Sequence, residues 1–302
     1  MLIARTAPEL RESLAPFRRG GQRIGLVPTM GALHDGHLSL LRRARLHCDV
    51  VVMSLFVNPT QFDQASDLRA YPRDEDRDLE LARQAGTDVV FAPAPEAVYP
   101  EGFVTTVSVA GPSTGLESAH RGPGHFDGVA TVVAKLLNMV GPAVAYFGEK
   151  DAQQLAVVRR LVADLDIPCM IQACPTIREP DGLAMSSRNA LLSPESRTRA
   201  GALYRALESV RASVVGGEHD PDAATVEGRA ILEESGAELE YLTIVDPRTM
   251  TPLDEVDRDA LAVIAARIGA VRLIDNLAVP MSPPSTDHLA ASGMAPALPR
   301  TT

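Results

Sequence analysis

Apolar residues along the first two thirds of the chain follow two alternating patterns. Short apolar runs bounded by Gly or Pro read as buried strands, and stretches with apolar residues three and four apart read as helices with one inward face. Residues 23–28 form the first such run. Leu38, Leu41, Ala44 and Cys48 then mark one side of a helix. The pattern predicts a strand over 49–56, a charged helix over 74–84 with Leu79 and Ala82 inward, and a strand over 87–91. Residues 103–109 alternate weakly. An apolar helix is predicted over 128–140, ended by Gly141-Pro142, and a strand over 143–147. Leu155, Val158, Leu161, Val162 and Leu165 share one face of a further helix, and 168–173 reads as a strand.

Strands alternating with helices through short turns imply a parallel sheet covered on both faces. The predicted fold class is therefore α/β, a Rossmann-like doubly wound sheet. In such sheets ligands bind beyond the carboxyl ends of the strands, where the strand order reverses. The pattern changes after residue 176. Helices are predicted over 195–215 and 222–234, joined by Gly216-Gly217, then strands over 239–245, 261–267 and 271–279. We assign 1–176 to a Rossmann-like domain and 177–280 to a second, smaller α+β domain. Residues 281–302 carry few large apolar groups and are expected to be a disordered tail, because they cannot bury enough surface to offset ordering entropy.

A length of 302 residues suits two domains. The net charge of −10 argues against a protein held mainly by nucleic-acid backbones, whose binding depends on Lys and Arg. No apolar run reaches the roughly 18 residues of a membrane span, and the N-terminus lacks a signal-peptide pattern. These features predict a cytoplasmic protein. Cys48, Cys169 and Cys174 match no zinc spacing and are expected to be small core residues.

Two polar turns follow predicted strands. The first is Pro28-Thr-Met-Gly-Ala-Leu-His-Asp-Gly-His37. A strand, a glycine turn and a helix start offer close backbone approach and free N–H groups suited to phosphate. His34 and His37, three apart, can face one side and donate to phosphoryl oxygens. A pair of histidines on an ordinary helix start is the competing reading, and a zinc site lacks a third ligand nearby. The second is the loop Leu183-Ala-Met-Ser-Ser-Arg-Asn189, whose hydroxyls and guanidinium suit a pyrophosphate. By itself this loop also reads as a solvated linker.

Together these elements resemble the signature motifs of nucleotidyltransferases related to class I aminoacyl-tRNA synthetases. Within that superfamily the chain resembles the pantothenate synthetase (pantoate:β-alanine ligase) family. The matching stretches are 28–37, Phe56-Val-Asn-Pro-Thr-Gln-Phe62, Tyr71-Pro-Arg73, His125-Phe-Asp-Gly-Val129, Phe147-Gly-Glu-Lys-Asp151 with Gln153-Gln154, and Asp181-Gly-Leu-Ala-Met-Ser-Ser-Arg-Asn189, in family order.

The resemblance implies an ATP-dependent ligase that joins pantoate to β-alanine through a pantoyl adenylate. It implies ATP binding by Met30, Gly31, Ala32, Leu33, His34, Asp35, Gly36 and His37. The same role falls to Gly148, Glu149, Lys150, Asp151, Ile177, Met185, Ser186, Ser187 and Arg188. His37 would be the proton donor, with His34, Lys150 and Arg188 also catalytic. Gln61 and Gln154 would bind pantoate, and Gln61 also β-alanine. Asn58 and His125 are further candidates, and Tyr71 is either a lid or a packing residue. Mg²⁺ is implied with ATP, its ligands open, with the acidic stretch 74–78 either near the metal or a solvated helix face. A homodimer is implied as well. The chain departs from the family pattern at Asp35 (usually Glu), Ala152 (usually aromatic) and Leu191 (commonly Tyr). Another transferase of the superfamily and a non-catalytic nucleotide sensor are the alternative readings.

Overall fold

The computed structural model describes residues 1–62, 65–122 and 124–281. The tail expected past residue 280 lies, from residue 282 onward, outside the described residues. The larger sheet has six strands: β1 (Leu2–Ala4), β2 (Ile24–Thr29), β3 (Val50–Leu55), β4 (Val89–Phe91), β5 (Val144–Gly148) and β6 (Met170–Cys174). All pair in parallel in the order β1-β4-β3-β2-β5-β6. Side chains alternate between two apolar layers, as the pleat requires. Ile24, Leu26, Val50, Val52, Ala145 and Phe147 meet α1 (Ala7–Arg19), α7 (His125–Val140) and α8 (Ala152–Asp164) on one face. Val27, Val51, Met53, Val90 and Tyr146 meet α2 (Asp35–His47) and α4 (Glu75–Gln84) on the other. Burial on both faces explains why these strands read as unbroken apolar runs. From β2 the chain builds outward through β3 and β4, then returns to place β5 on the other side of β2. The strand order therefore reverses between β2 and β5.

The remaining helices of this part are short: α3 (Ala65–Ala70), α5 (Pro95–Val98) and α6 (Glu117–Arg121). After β6 the chain forms α9 (Pro194–Ala200), α10 (Ala202–Val215) and α11 (Pro221–Glu234), then β7 (Glu238–Val245), β8 (Ala260–Ile268) and β9 (Val271–Val279). These strands form an antiparallel sheet in sequence order. One face packs on α10 and α11 through Leu203, Leu207, Val210, Ile244, Ile264 and Leu273. The other meets the larger sheet's layer, where Val245, Met250 and Val263 pack with Ala156 of α8.

Three expectations need correction. The single helix over 195–215 is two helices broken at Gly201, which sits against Asp181; a Cβ there would lie 3.2 Å from the Asp181 carboxylate. Residues 103–109 form no strand, because no neighbouring strand among the described residues pairs with them. Cys48 and Cys174 are buried, but Cys169 is only half-buried, at the start of the edge strand β6.

Candidate active site

A cleft of about 260 Å³ opens at the carboxyl ends of β2 and β5, where the strand order reverses. The turn after β2 forms one wall. Thr29 ends the strand with its hydroxyl donating to the Ser54 carbonyl at 2.7 Å. The backbone then takes left-handed values at Gly31 (φ 85°) and Ala32 (φ 51°). Asp78 of α4 makes this conformation hold. Its buried carboxylate accepts from the Ala32 and Leu33 N–H groups, each at 2.8 Å. A Cβ on Gly31 would lie 2.8 Å from Asp78 Oδ2, so close packing as well as the positive φ requires glycine there.

The helix start fixes the chemistry of both histidines. His34 is the N-cap of α2, and its Nδ1 accepts from the Gly36 N–H at 3.1 Å. The His34 N–H points at Nδ1 of His37 at 3.4 Å. A ring nitrogen that accepts cannot carry the proton, so each neutral imidazole holds its proton on Nε2. The rings lie 4.1 Å apart between centroids, and both border the cleft. Burial, reinforced by the neighbouring His34, pulls His37 down to about 3. Burial and the charge of Lys150 also lower His34. Both are neutral N–H donors at neutral pH.

The opposite wall is cationic. Lys150, in the turn between β5 and α8, has Nζ 3.7 Å from Asp151 Oδ1. Arg188 lies in the 3₁₀ turn Ser187–Leu191, whose N-cap Ser186 accepts from the Arg188 N–H at 3.2 Å. Its guanidinium has no hydrogen-bond or ion-pair partner among the described residues, and burial followed by the charge of Arg121 lowers its pKa. A half-buried, unpartnered guanidinium at a cleft suits an anionic ligand. Tyr71 borders the same space as Ser187, and burial raises its phenol.

At the far end Gln61 closes the 3₁₀ turn Pro59–Gln61 against α7. Gly128 lets these elements touch, since a Cβ there would lie 2.4 Å from the Thr60 carbonyl. Asn58 donates to Gln61 Oε1 at 3.1 Å and to the Gly128 carbonyl at 3.1 Å. His125 Nδ1 lies 2.8 Å from the Gln61 carbonyl. A carbonyl only accepts, so this histidine carries its proton on Nδ1 and keeps a lone pair on Nε2. Burial and the charge of Arg121 bring it to about 4. Gln153 and Gln154 both border the cleft, and Gln153 is buried. Gln153 accepts from the Glu117 N–H at 3.0 Å and donates to the Pro112 carbonyl at 3.0 Å.

The cleft thus gathers Met30, His34, Gly36, His37, Gln61, Gly148, Lys150, Asp151, Gln154, Ile177, Met185, Ser186, Ser187 and Arg188 from distant parts of the chain. It does not bring Gly31, Ala32, Leu33, Asp35 or Glu149 to its wall. Leu33 is in the core, while Asp35 and Glu149 face solvent. The carbonyl of Ile177 already accepts from the Met185 N–H at 2.9 Å.

Similarity to known proteins bears on this cleft. The model of the family described as pantoate-beta-alanine ligase matches residues 2–278. The chain belongs to the pantoate-beta-alanine ligase family. It is 51% identical over 277 residues to the pantothenate synthetase of Cereibacter sphaeroides, covering 92% of this chain and 99% of that protein. A Deinococcus radiodurans pantothenate synthetase is 53% identical over 269 residues, covering 86% and 95%. The crystal structure of pantothenate synthetase from Thermus thermophilus superposes with a TM-score of 0.87 at 48% identity, covering 94% of this chain and all of that one. The Francisella tularensis pantoate-beta-alanine ligase, solved with beta-gamma ATP and beta-alanine, has a TM-score of 0.75 at 36% identity, covering 92% and 97%. The doubly wound parallel sheet with a second, smaller α+β domain is the fold class the sequence patterns predicted; its six strands and the antiparallel pairing of the smaller sheet are seen in the structure.

Several residues that shape or border the cleft carried no motif. Asp78 belongs to the acidic stretch 74–78, and its two oxygens hold the turn at Ala32 and Leu33. Asp74 of that stretch caps α4 by accepting from the Arg77 N–H at 3.1 Å. Glu117 is buried and accepts from Arg121 at 2.7 Å, Tyr241 at 2.8 Å and Arg272 at 2.8 and 2.7 Å. Its burial favours protonation, yet the hydrogen bonds from Arg272 and the charge of Arg121 hold the carboxyl far below the usual range. The visible signal was Arg272, Asp275 and Asn276 interrupting an otherwise apolar strand. Ala152 packs against the cluster of Ala156, Val245, Met250 and Val263. Leu191 is exposed. Among the described residues no group of three or more His, Cys, Asp or Glu could hold a metal, and no helix is long and apolar enough to cross a membrane.

Proposed function

We propose that this cleft carries out the family's ATP-dependent condensation in two steps. In the first, a pantoate carboxylate oxygen attacks the α-phosphorus of ATP, the bond to the β-phosphate oxygen breaks, and pyrophosphate leaves. In the second, the amine of β-alanine attacks the acyl carbon, the acyl–oxygen bond breaks, and AMP leaves as pantothenate forms. The single observation that carries this reading is the pairing across one cleft of two N–H-donating imidazoles with two cations, Lys150, 3.7 Å from Asp151, and Arg188, whose guanidinium has no partner among the described residues.

The residues suit the charge that develops. Nε2–H groups of His34 and His37 would stabilise the α-phosphoryl oxygens, which gain charge in the transition state. Because its imidazole is neutral, His37 would act as a proton donor through this hydrogen bond. Lys150 and Arg188 would neutralise the leaving pyrophosphate, with Ser186 and Ser187 closing over it. Gln61 and Gln154 offer neutral amides that hydrogen-bond pantoate without adding charge. The free Nε2 of His125 can accept from a hydroxyl or from the ammonium of β-alanine. We assign 1–176 to binding nucleotide and pantoate and 177–280 to covering them.

Mg²⁺ accompanying ATP would be held chiefly by phosphates and water, supplying charge neutralisation. Asp78 and Asp275 are engaged with backbone N–H groups and Arg178 respectively, so Asp151 is the carboxylate left to face it. A cytoplasmic homodimer belongs to the same reading. The exposed Val104 on an extended segment without a strand partner among the described residues supports the dimer; a single-chain mass in light scattering would overturn it.

The test is AMP and pyrophosphate release with ATP, Mg²⁺ and pantoate, with and without β-alanine. Pantothenate and AMP are expected only when both acceptors are present. ATP binding without pyrophosphate release under any condition would favour the sensor reading, and turnover with a different acid would favour another transferase.

A further inference from the structure

Strand β9 sends alternate side chains to opposite faces. Val271 and Leu273 join the helix-covered layer, whereas Arg272, Ile274 and Asn276 face the larger domain. Asn276 is buried there. Its Nδ2 donates to the carbonyl of Glu149 at 2.9 Å and to that of Lys150 at 2.8 Å, using both amide hydrogens. No backbone N–H among the described residues reaches either carbonyl. One side chain from the smaller sheet therefore satisfies two successive acceptors in the turn that carries the phosphate-facing lysine.

The neighbouring residue fastens the other loop. Asp275 is buried and takes Arg178 in a two-pronged ion pair at 2.6 and 3.1 Å. Arg178 in turn donates to the Gly182 carbonyl at 2.9 Å and to the Asn276 carbonyl at 3.1 Å. Two adjacent positions of β9 thus hold the Lys150 turn and the base of the loop that carries Arg188. Those two cations are more than thirty residues apart in the chain, and no hydrogen bond or ion pair among the described residues links them.

We propose that Asn276 is a positioning residue for Lys150: its amide locks the 149–150 turn, so the lysine stands opposite the two histidines only when β9 is docked. The inference rests on the reading of Lys150 as a phosphate ligand. A turn released from Asn276 keeps its lysine but loses its placement, and displacements near 1 Å can cost about 10²-fold in rate.

The experiment uses the full chain with Asn276→Ala and Asn276→Leu, the second keeping similar volume without a donor, each checked by thermal melting. Steady-state kinetics are read with ATP varied and with pantoate varied, alongside Lys150→Ala and the Lys150→Ala/Asn276→Ala double variant. We expect kcat/KM for ATP to fall by about 10- to 100-fold in both Asn276 variants, with the KM for pantoate within twofold. On the Lys150→Ala background, Asn276→Ala should add less than twofold, because the two residues act as one unit. A purely structural role would instead lower kcat in proportion to folded protein and leave both KM values alone. That pattern, or a full multiplicative loss in the double variant, overturns the proposal; Asn276→Leu decides if Asn276→Ala does not fold. If Lys150→Ala leaves ATP kinetics unchanged, the reading of Lys150 fails and takes this inference with it. If Lys150→Ala is impaired while the Asn276 variants are not, the inference fails alone.

Discussion

His37 and His125 are kept neutral by the same burial that places them at the cleft, at about 3 and about 4 against an ordinary 6.5. Their folded-state values are depressed, so the unfolded chain takes up protons first as the pH falls. The contribution to stability is complete above 6.5 and declines as the pH drops through 6.5 toward the folded values. At pH 5 each group should cost about 2 kcal/mol. The urea midpoint should therefore fall between pH 7 and pH 5, and His125→Gln should flatten part of that slope. A midpoint that stays level over this range would contradict the burial of these rings. The identity of both histidines was visible in the chain. Their tautomers were not, because the proton's position depends on which backbone groups meet Nδ1: N–H groups for His34 and His37, a carbonyl for His125.

At the scale of elements, close approach does much of the work. Helix α7 presses on the Pro59–Gln61 turn through Gly128, and Gln61 and His125 meet there. Gly128→Ala would force the turn and helix apart. We expect a loss of about 1–3 kcal/mol and a pantoate KM raised roughly tenfold, an order of magnitude in keeping with a misplaced positioning group. ATP kinetics should change little, because α2 and the Lys150 turn are untouched. An unaltered pantoate KM would show that the turn can yield without moving Gln61. The helices and strands were legible where apolar spacing repeats over several residues, as in α7, α8 and β8. Periodicity failed at Gly201, where contact with Asp181 breaks a continuous helical pattern into α9 and α10. It failed again at 103–109, where alternation had no neighbouring strand to pair with.

The whole molecule is held together across its two sheets by a polar seam as well as by the apolar contact of Ala156 with Val245 and Val263. Glu117 from α6 binds Arg272 and Tyr241 of the smaller sheet and Arg121 at the cleft. Arg272 also pairs with Glu240 at 2.7 Å. Removing one member of such a buried network leaves the others uncompensated, so Glu117→Ala should cost about 3–5 kcal/mol. The urea midpoint would report it, and a change under about 1 kcal/mol would mean that the seam is solvated and contributes little to docking.

The sequence by itself determined the alternation of strands and helices, the two polar turns and the family to which the chain belongs. Each depends on residues close together in the chain, through spacing, turn chemistry or local motif. Tertiary structure decided which partners those residues meet. Asp78 lies more than forty residues from the turn it holds, and Asn276 more than a hundred from the lysine whose backbone it grips. Neither has a local signature, because a buried carboxylate or amide is defined by the unpaired N–H or carbonyl brought to it by folding. Strand order reverses between β2 and β5, and the smaller sheet lies over that crevice. Only this long-range arrangement turns separate histidines, glutamines and cations into one site.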